Sequence, residues 1–402
     1  MNIADIGNEI KESFQPDKNS DHQYLALEHV DPDALHINGF GSSSEVESNK
    51  YFFKKGDILF GTLRPYFRKL VIAPFDGVCS TEFSVIRPVR SEDKQFLFYS
   101  LANPKFIEFA TTNSNGARPR TKWKLFSKFA VAEHDDISRE SIGEKLACFD
   151  SLIENNRRRI ELLEDSAKQL YKEWFVRFRF PGHEHIKSIG GVPEGWDRIP
   201  LTNFLDIKHG FAFKGEFFSE EPTPLILMSP GNFKIGGGIK LDKKKYYAEG
   251  SPIPEDYVLE ESDLLVTMTD LSKTSDTLGY PALVPKPIGQ VYLHNQRLGK
   301  VTSNTEGFFP KYFFYHILLD NNYRSSIVGS ASGTSVKHTS PTKILSYKQL
   351  MPVDISSSLI KQFDVFAEDI YDQINVLIAW NENLTKARES LLPKLMSGEV
   401  AV

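Results

Sequence analysis

Cysteine is almost missing from this 402-residue chain: there are two, Cys79 and Cys148, in apolar surroundings and without a Cys-x-x-Cys spacing. That argues against a disulfide framework or a zinc finger and fits a reducing compartment. Long apolar runs are missing too. Nothing approaches the ~18 residues of a membrane span, and MNIADIGNEIKES has neither the basic nor the apolar region of a secretory signal. A soluble, cytoplasmic protein with no membrane contact is expected. There is no excess of positive charge: 48 Lys and Arg face 53 Asp and Glu, a formal net charge of -5. Any nucleic-acid surface must therefore be local or completed by a partner. Catalytic signatures are missing as well, with no G-x-S-x-G, Walker A, H-E-x-x-H or helix-opening G-x-G-x-x-G. His183-Glu184-His185 has the look of a metal pair but no third or fourth ligand, and it is read without a metal. Gly236-Gly237-Gly238 is not followed by Gly-Lys-Ser/Thr and is read as a flexible tip rather than a phosphate loop. The chain is expected to be non-catalytic.

What the chain does have is periodicity. Ile142, Leu146, Phe149, Ile153, Asn156, Ile160, Leu163, Ala167, Leu170 and Trp174 alternate spacings of four and three, the 3.5-residue period of a coiled-coil seam. The same heptad, shifted by 221, runs from Phe363 to Leu395. A parallel pairing would set Asn156 against Leu377 and Ile160 against Asn381, leaving two buried amides facing hydrocarbon at ~1–3 kcal/mol each. An antiparallel pairing, with partners summing to 537, sets Asn156 against Asn381, Trp174 against Phe363 and Leu146 against Leu391. One paired polar layer then defines register and direction. Arg388 falls opposite Phe149, where its stem can pack while the guanidinium reaches out or stacks on the ring. Pro393 is expected to kink or interrupt the second helix, which Ser397-Gly398 ends.

On either side of these helices the chain repeats itself. Residues 1–135 hold short aromatic, β-rich runs (Tyr51-Phe52-Phe53, Asp57-Ile58-Leu59-Phe60, Phe83-Ser84-Val85-Ile86) punctuated by turn residues, then a helix around Phe96–Phe109. After the Pro- and Gly-rich stretch PGHEHIKSIGGVPEGW, residues 194–353 follow the same outline. Asp263-Leu264-Leu265 echoes Asp57-Ile58-Leu59, Tyr312-Phe313-Phe314-Tyr315 echoes Phe96-Leu97-Phe98-Tyr99, and SASGTSVKH echoes NSNGARPR. The chain is expected to be an α+β protein in five parts: a first domain (1–135), a first helix (136–180), a linker (181–193), a second domain (194–353) and a second helix (354–402). The helices are read as one antiparallel coiled coil.

Basic and aromatic residues interleave in loops of both domains. The first carries Arg64, Tyr66, Arg68 and Lys69 in LRPYFRKL, and Arg118, Arg120 and Lys122 in NGARPRTKW; the second carries Lys208, His209, Lys214, Lys243, Lys244, Arg297, Lys300, Lys337 and His338. Guanidinium forks clamp phosphates and read guanine edges, so these residues are the candidate DNA contacts. The two sets differ in kind and position. A scaffold repeated with unlike loops suits recognition; a coiled-coil scaffold whose two domains bind proteins is the alternative.

In the order of its motifs the chain resembles the specificity subunit of type I restriction-modification systems. The resemblance rests on GDILFGTLRPYFRKL, STEFSVIRP, FDSLIENNRRRIELLEDSAKQLYKEWFVRFRFPG, VPEGW and LTKARESLLPKLMSGEV, and covers essentially the whole chain. It implies two target recognition domains, each binding one half of a split double-stranded DNA sequence. It implies as partners two methyltransferase subunits, which supply S-adenosylmethionine and adenine N6 chemistry, and restriction subunits that use ATP and Mg. No cofactor is implied for this chain itself.

Overall fold

The computed structural model describes residues 1–401 except Ala34, Asp242, Lys243, Lys273 and Ser335. It is a mixed α+β chain with two compact units, Met1–Asn156 with Trp380–Val402, and Arg157–Ala379. No helix among the described residues is long and apolar enough to cross a membrane.

In the first unit an antiparallel sheet runs in the order Gly7–Ile10, Phe83–Pro88, Ile58–Gly61, Leu70–Ile72. Its inner strand Ile58–Gly61 is apolar and buried throughout because both faces are covered. Ile58 and Phe60 pack with Phe96, Phe106 and Phe126 of the helical layer. Leu59 packs the other way with Leu25, Phe53 and Cys79 of a second sheet. That sheet runs Ser13–Phe14, Lys50–Phe53, Gly77–Ser80, Gln23–Leu25, Gly41–Ser42, and its Gln23 and Gly77 strands are parallel. The helix expected around Phe96–Phe109 is two, Lys94–Ala102 and Pro104–Thr112. Pro104 starts a new first turn, and Asn103 Oδ1 caps it by accepting from the Lys105 amide at 3.0 Å.

The second unit repeats the four-stranded order with Leu205–His209, Leu298–Ser303, Leu264–Thr267 and Pro281–Leu283. Its five-stranded sheet shares four strands with the first: Val258–Leu259, Val291–His294, Leu225–Met228 and Tyr246–Tyr247 follow the same order and directions. Only the first strand differs. Phe218–Ser219 joins the Tyr246 edge, whereas Ser13–Phe14 joins the Lys50 edge, at the opposite side of the shared four. Helices Lys311–Leu319 and Asn321–Gly329 repeat the helical pair, again with a side-chain cap between them, from Asp320. The expected flexible tip at Gly236–Gly238 is a packed turn. All three have positive φ, the Gly238 amide donates to Pro281 O at 2.9 Å, and a Cβ on Gly237 would meet Leu319 at 2.1 Å.

The first long helix spans Asp136–Tyr171, opened by Asp135, whose carboxylate accepts from the Ser138 amide at 2.7 Å, and it closes in a π turn over Lys172–Val176. The second spans Ser358–Ser397 and runs unbroken through Pro393. The expected interruption is absent because Leu392, Leu395 and Met396 are buried in the core that also holds Ile142 and Leu146. That burial outweighs one missing backbone hydrogen bond. Gly398, at φ +75°, ends the helix.

Within the first unit Asn156, 6% exposed, donates Nδ2–H to Asn381 Oδ1 at 2.9 Å. Within the second, the rings of Trp174 and Phe363 lie 6.1 Å apart. Arg388 corrects the sequence reading. At 3% exposure its guanidinium neither reaches out nor stacks, because it is paired with Asp150 and with Glu389, the latter at 2.7 Å. Cys79 is buried, but Cys148 is exposed rather than set in apolar surroundings.

Candidate nucleic-acid interface

The LRPYFRKL segment of the first unit leaves the Ile58–Gly61 strand and folds around a short 3₁₀ turn, Pro65–Phe67. Arg64 and Arg68, on either side of it, both adopt the left-handed region, at φ +51° and +48°. Such a conformation costs a non-glycine residue about 1 kcal/mol or more, so the surroundings must impose it. They do so with backbone bonds: Gly61 N–H to Lys69 O (2.8 Å), Arg64 N–H to Pro119 O (2.7 Å) and Asp33 N–H to Phe67 O (3.1 Å). The second basic loop closes on itself through reciprocal Asn115 and Arg120 bonds, with Gly116 at φ +96°. Leu63 bridges Arg120, and Thr121 N–H donates to Thr62 O at 3.0 Å, so the two loops are clamped together.

The clamp sorts the predicted residues. Arg64, Tyr66, Arg118 and Lys122 are exposed. Arg68 is not: at 8% exposure its guanidinium makes a bidentate contact with Glu389 at 2.9 and 3.1 Å, so it anchors the loop and is unavailable to DNA. Lys69 donates to Leu27 O at 2.6 Å, and Arg120 pairs with Glu82 at 3.0 Å. Arg64, Lys69 and Arg118 line one pocket of about 340 Å³ with Leu27, Leu63 and Phe67.

The second unit builds the same clamp. Thr269 bridges His338, Ser332 bridges His338, and Thr339 N–H donates to Met268 O at 3.0 Å. Here the loop is pinned by Asp270, which accepts from the amides of Ser272 (2.6 Å) and Leu278 (3.0 Å) and from the Thr277 hydroxyl (2.8 Å). Burial works to raise its pKa, yet the donors of Ser272 and Thr277 hold the carboxyl below its ordinary value. Arg324 closes the loop from below, donating to Ser275 O and Leu278 O.

Lys337 and His338 form the clamp's own strand; Lys337 Nζ donates to Gly333 O at 3.0 Å, and the His338 ring meets Thr269 Oγ1 at 3.1 Å. Arg297 is exposed, and its carbonyl accepts from Met268 N–H, which ties it to the same loop. His209, exposed, faces Gly299 across the sheet; Lys208 lies over the Tyr257 ring at 4.8 Å and donates to Asp256 O. Lys300 is a correction: it pairs with Asp263 at 2.7 Å and is a structural bridge, as Arg87 with Asp57 is in the first unit. Lys214, beside Glu216, is exposed, and Lys244 is half-buried; Lys243 lies outside the described residues.

Sequence reasoning missed Glu389, Asp150 and Tyr99. Tyr99 O–H donates to Asp150 Oδ2 at 2.5 Å, Asp150 pairs with Arg388, and Glu389 joins Arg388 to Arg68. The only signal was Arg388 itself, a charge at a seam position. Among the described residues no group of three His, Cys, Asp or Glu side chains could hold a metal ion.

No protein-family model matches the chain. It is 23% identical over 77% of its length to the type I restriction enzyme MjaVIII specificity subunit of Methanocaldococcus jannaschii, covering 71% of that protein. It is likewise 23% identical over 89% of its length to the MjaIX specificity subunit of the same organism, covering 80% of it. Among solved structures, the type I restriction-modification S subunit from M. genitalium shares the fold, with a TM-score of 0.56 at 12% identity over 98% of this chain and 95% of that one.

Proposed function

We propose that the chain is a specificity subunit of a type I restriction enzyme, as the relatives it resembles are, and that it recognises a bipartite DNA target, one half through each α+β domain. One observation carries the reading: the same two-loop clamp occurs in both units, with different basic side chains on each. A shared clamp with interchangeable tips is what two readers of unlike half-sites require. The exposed Arg64, Tyr66, Arg118, Lys122, His209, Arg297 and His338 are its candidate contacts, with Lys208, Lys214, Lys244 and Lys337 as phosphate contacts. Lys243 keeps that proposed role from the sequence alone.

The two long helices serve as an antiparallel spacer, matched through Asn156 and Asn381. At 36 and 40 residues and ~1.5 Å rise each exceeds one turn of duplex, ~34–36 Å. Methylation of adenine belongs to two docked methyltransferase subunits with S-adenosylmethionine, and cleavage to restriction subunits with ATP and Mg. Partners sharing the phosphate contacts account for a net charge of -5.

The test is retention of the complex with its methyltransferase subunits on duplex DNA across a salt series. Affinity should fall steeply with salt, with a slope set by the phosphates contacted, and methylome sequencing of the host should return a split motif. Methyltransferase binding without any DNA preference would instead make the chain a protein-binding scaffold.

A further inference from the structure

The two clamped loops of the first unit, with a pocket between them, carry an uneven set of cations. Lys69 is spent on Leu27 O, Arg68 on Glu389 and Arg120 on Glu82. The guanidinium groups of Arg64 and Arg118 have no hydrogen bond or ion pair with any described residue, and both line the pocket. Its remaining walls, Leu27, Leu63 and Phe67, are apolar. The backbone beneath Arg64 is fixed by its bond to Pro119 O and its left-handed conformation, so the arm starts from a rigid base.

We propose that Arg64 and Arg118 read guanine in the major groove of the first half-site, with the apolar floor against the base edge. The proposal rests on the DNA-recognition reading above and adds which base this pocket selects. Two observations support a base over a phosphate, and the donor-only chemistry of the guanidinium then selects guanine among the bases. A phosphate site usually adds backbone amides, and here the amides of Arg64, Phe67, Arg68 and Thr121 are all donated inward, to Pro119 O, Arg64 O, Pro65 O and Thr62 O. An apolar floor offers a hydrated phosphate nothing, whereas it suits a base edge or a neighbouring thymine methyl. A guanidinium only donates. Guanine O6 and N7 supply two adjacent acceptors, while adenine and cytosine turn an amino donor toward the groove and thymine offers a single acceptor.

The second unit sharpens the point. Counted from the matching bridges, Leu63 with Arg120 and Thr269 with His338, Arg64 corresponds to Asp270 and Arg118 to Val336. Asp270 is buried and occupied by amides. The same clamp there carries no guanidinium at either position, so this guanine contact belongs to one half of the target only.

The experiment is methylome sequencing of cells expressing the full chain with its methyltransferase subunits, as wild type and as Arg64→Ala, Arg64→Lys, Arg118→Ala and Arg118→Lys. The expected result is a G·C pair in one half-site at which discrimination falls about tenfold or more in both alanine variants. Lysine should not restore it, because an ammonium has no planar fork. The other half-site should be unchanged. Methylation weakened evenly at all sites and rescued by lysine would make these arginines phosphate contacts and overturn the proposal, as would a first half-site without a G·C pair. A wild-type profile with no sequence-specific motif would instead defeat the recognition reading itself.

Discussion

Asp364 and Gly143 hold equivalent positions, 221 residues apart, and meet the same helix start differently. Each faces the N-terminus of the first helix of its unit's pair, where unbonded backbone amides need a partner. In the first unit Gly143 lets the long helix approach so closely that a Cβ would sit 2.7 Å from Phe96 N. In the second the Asp364 carboxylate enters the gap and accepts from the amides of Tyr312 (2.8 Å) and Phe313 (2.9 Å). Burial pushes the Asp364 carboxyl up to about 6, against the pull of those amides and with a further push from Glu368. Its unfolded value is about 3.9. Between these values the folded state holds the proton and the unfolded chain does not, so this contribution to stability falls as pH rises from about 4 to 6 and is flat above. Asp364→Asn keeps the accepting oxygen without a charge to desolvate. It should remove that pH dependence and raise stability at neutral pH by about 1–2 kcal/mol. Thermal unfolding at pH 4.5 and 7.5 checks this, and a variant that lost stability at both pH values would show that the ionised carboxylate is needed.

At the scale of the elements, the long helices combine an apolar seam with polar insertions that only a partner explains. Asn156 and Asn381 bond to each other, and Asn381 Nδ2 also reaches Ile153 O at 3.4 Å. Replacing one of them by Leu leaves the other amide buried against a side chain that offers it nothing, at a cost of about 1–3 kcal/mol. Replacing both should recover most of that loss, since an apolar layer of similar volume is neutral or better. A double-mutant cycle on thermal or denaturant midpoints should therefore show strong coupling; additive effects would mean that the two amides do not depend on each other. Arg388 is the contrasting case. A cationic seam residue looked like an outward-reaching arm, but Asp150 and Glu389 lie beside it within the first unit. Nothing in heptad spacing says which carboxylates a neighbouring turn will deliver.

At the scale of the whole molecule, the proposed spacer makes a quantitative demand. Inserting one heptad at matched positions in both helices adds about 10 Å of helix and should lengthen the unspecified DNA between the half-sites by about three base pairs at ~3.4 Å each. Both half-sites should stay the same, and an unchanged spacer in the methylome would end the idea of the helices as a ruler. The sequence by itself determined the α+β character, the long helices and the repeat, because periodicity, turn residues and echoed segments such as Asp57-Ile58-Leu59 and Asp263-Leu264-Leu265 are local signals. It also named the basic loops. Which basic residues stay free was decided only by the tertiary structure. Arg64, Arg68, Arg118 and Arg120 look alike in a string of letters, yet Arg68 meets Glu389 from 321 residues away and Arg120 meets Glu82, while Arg64 and Arg118 meet no carboxylate among the described residues. The unbroken helix through Pro393 has the same origin, in burial against Ile142 and Leu146. Local pattern sets what a segment can form; the availability of a charge depends on partners that only the folded chain brings within reach.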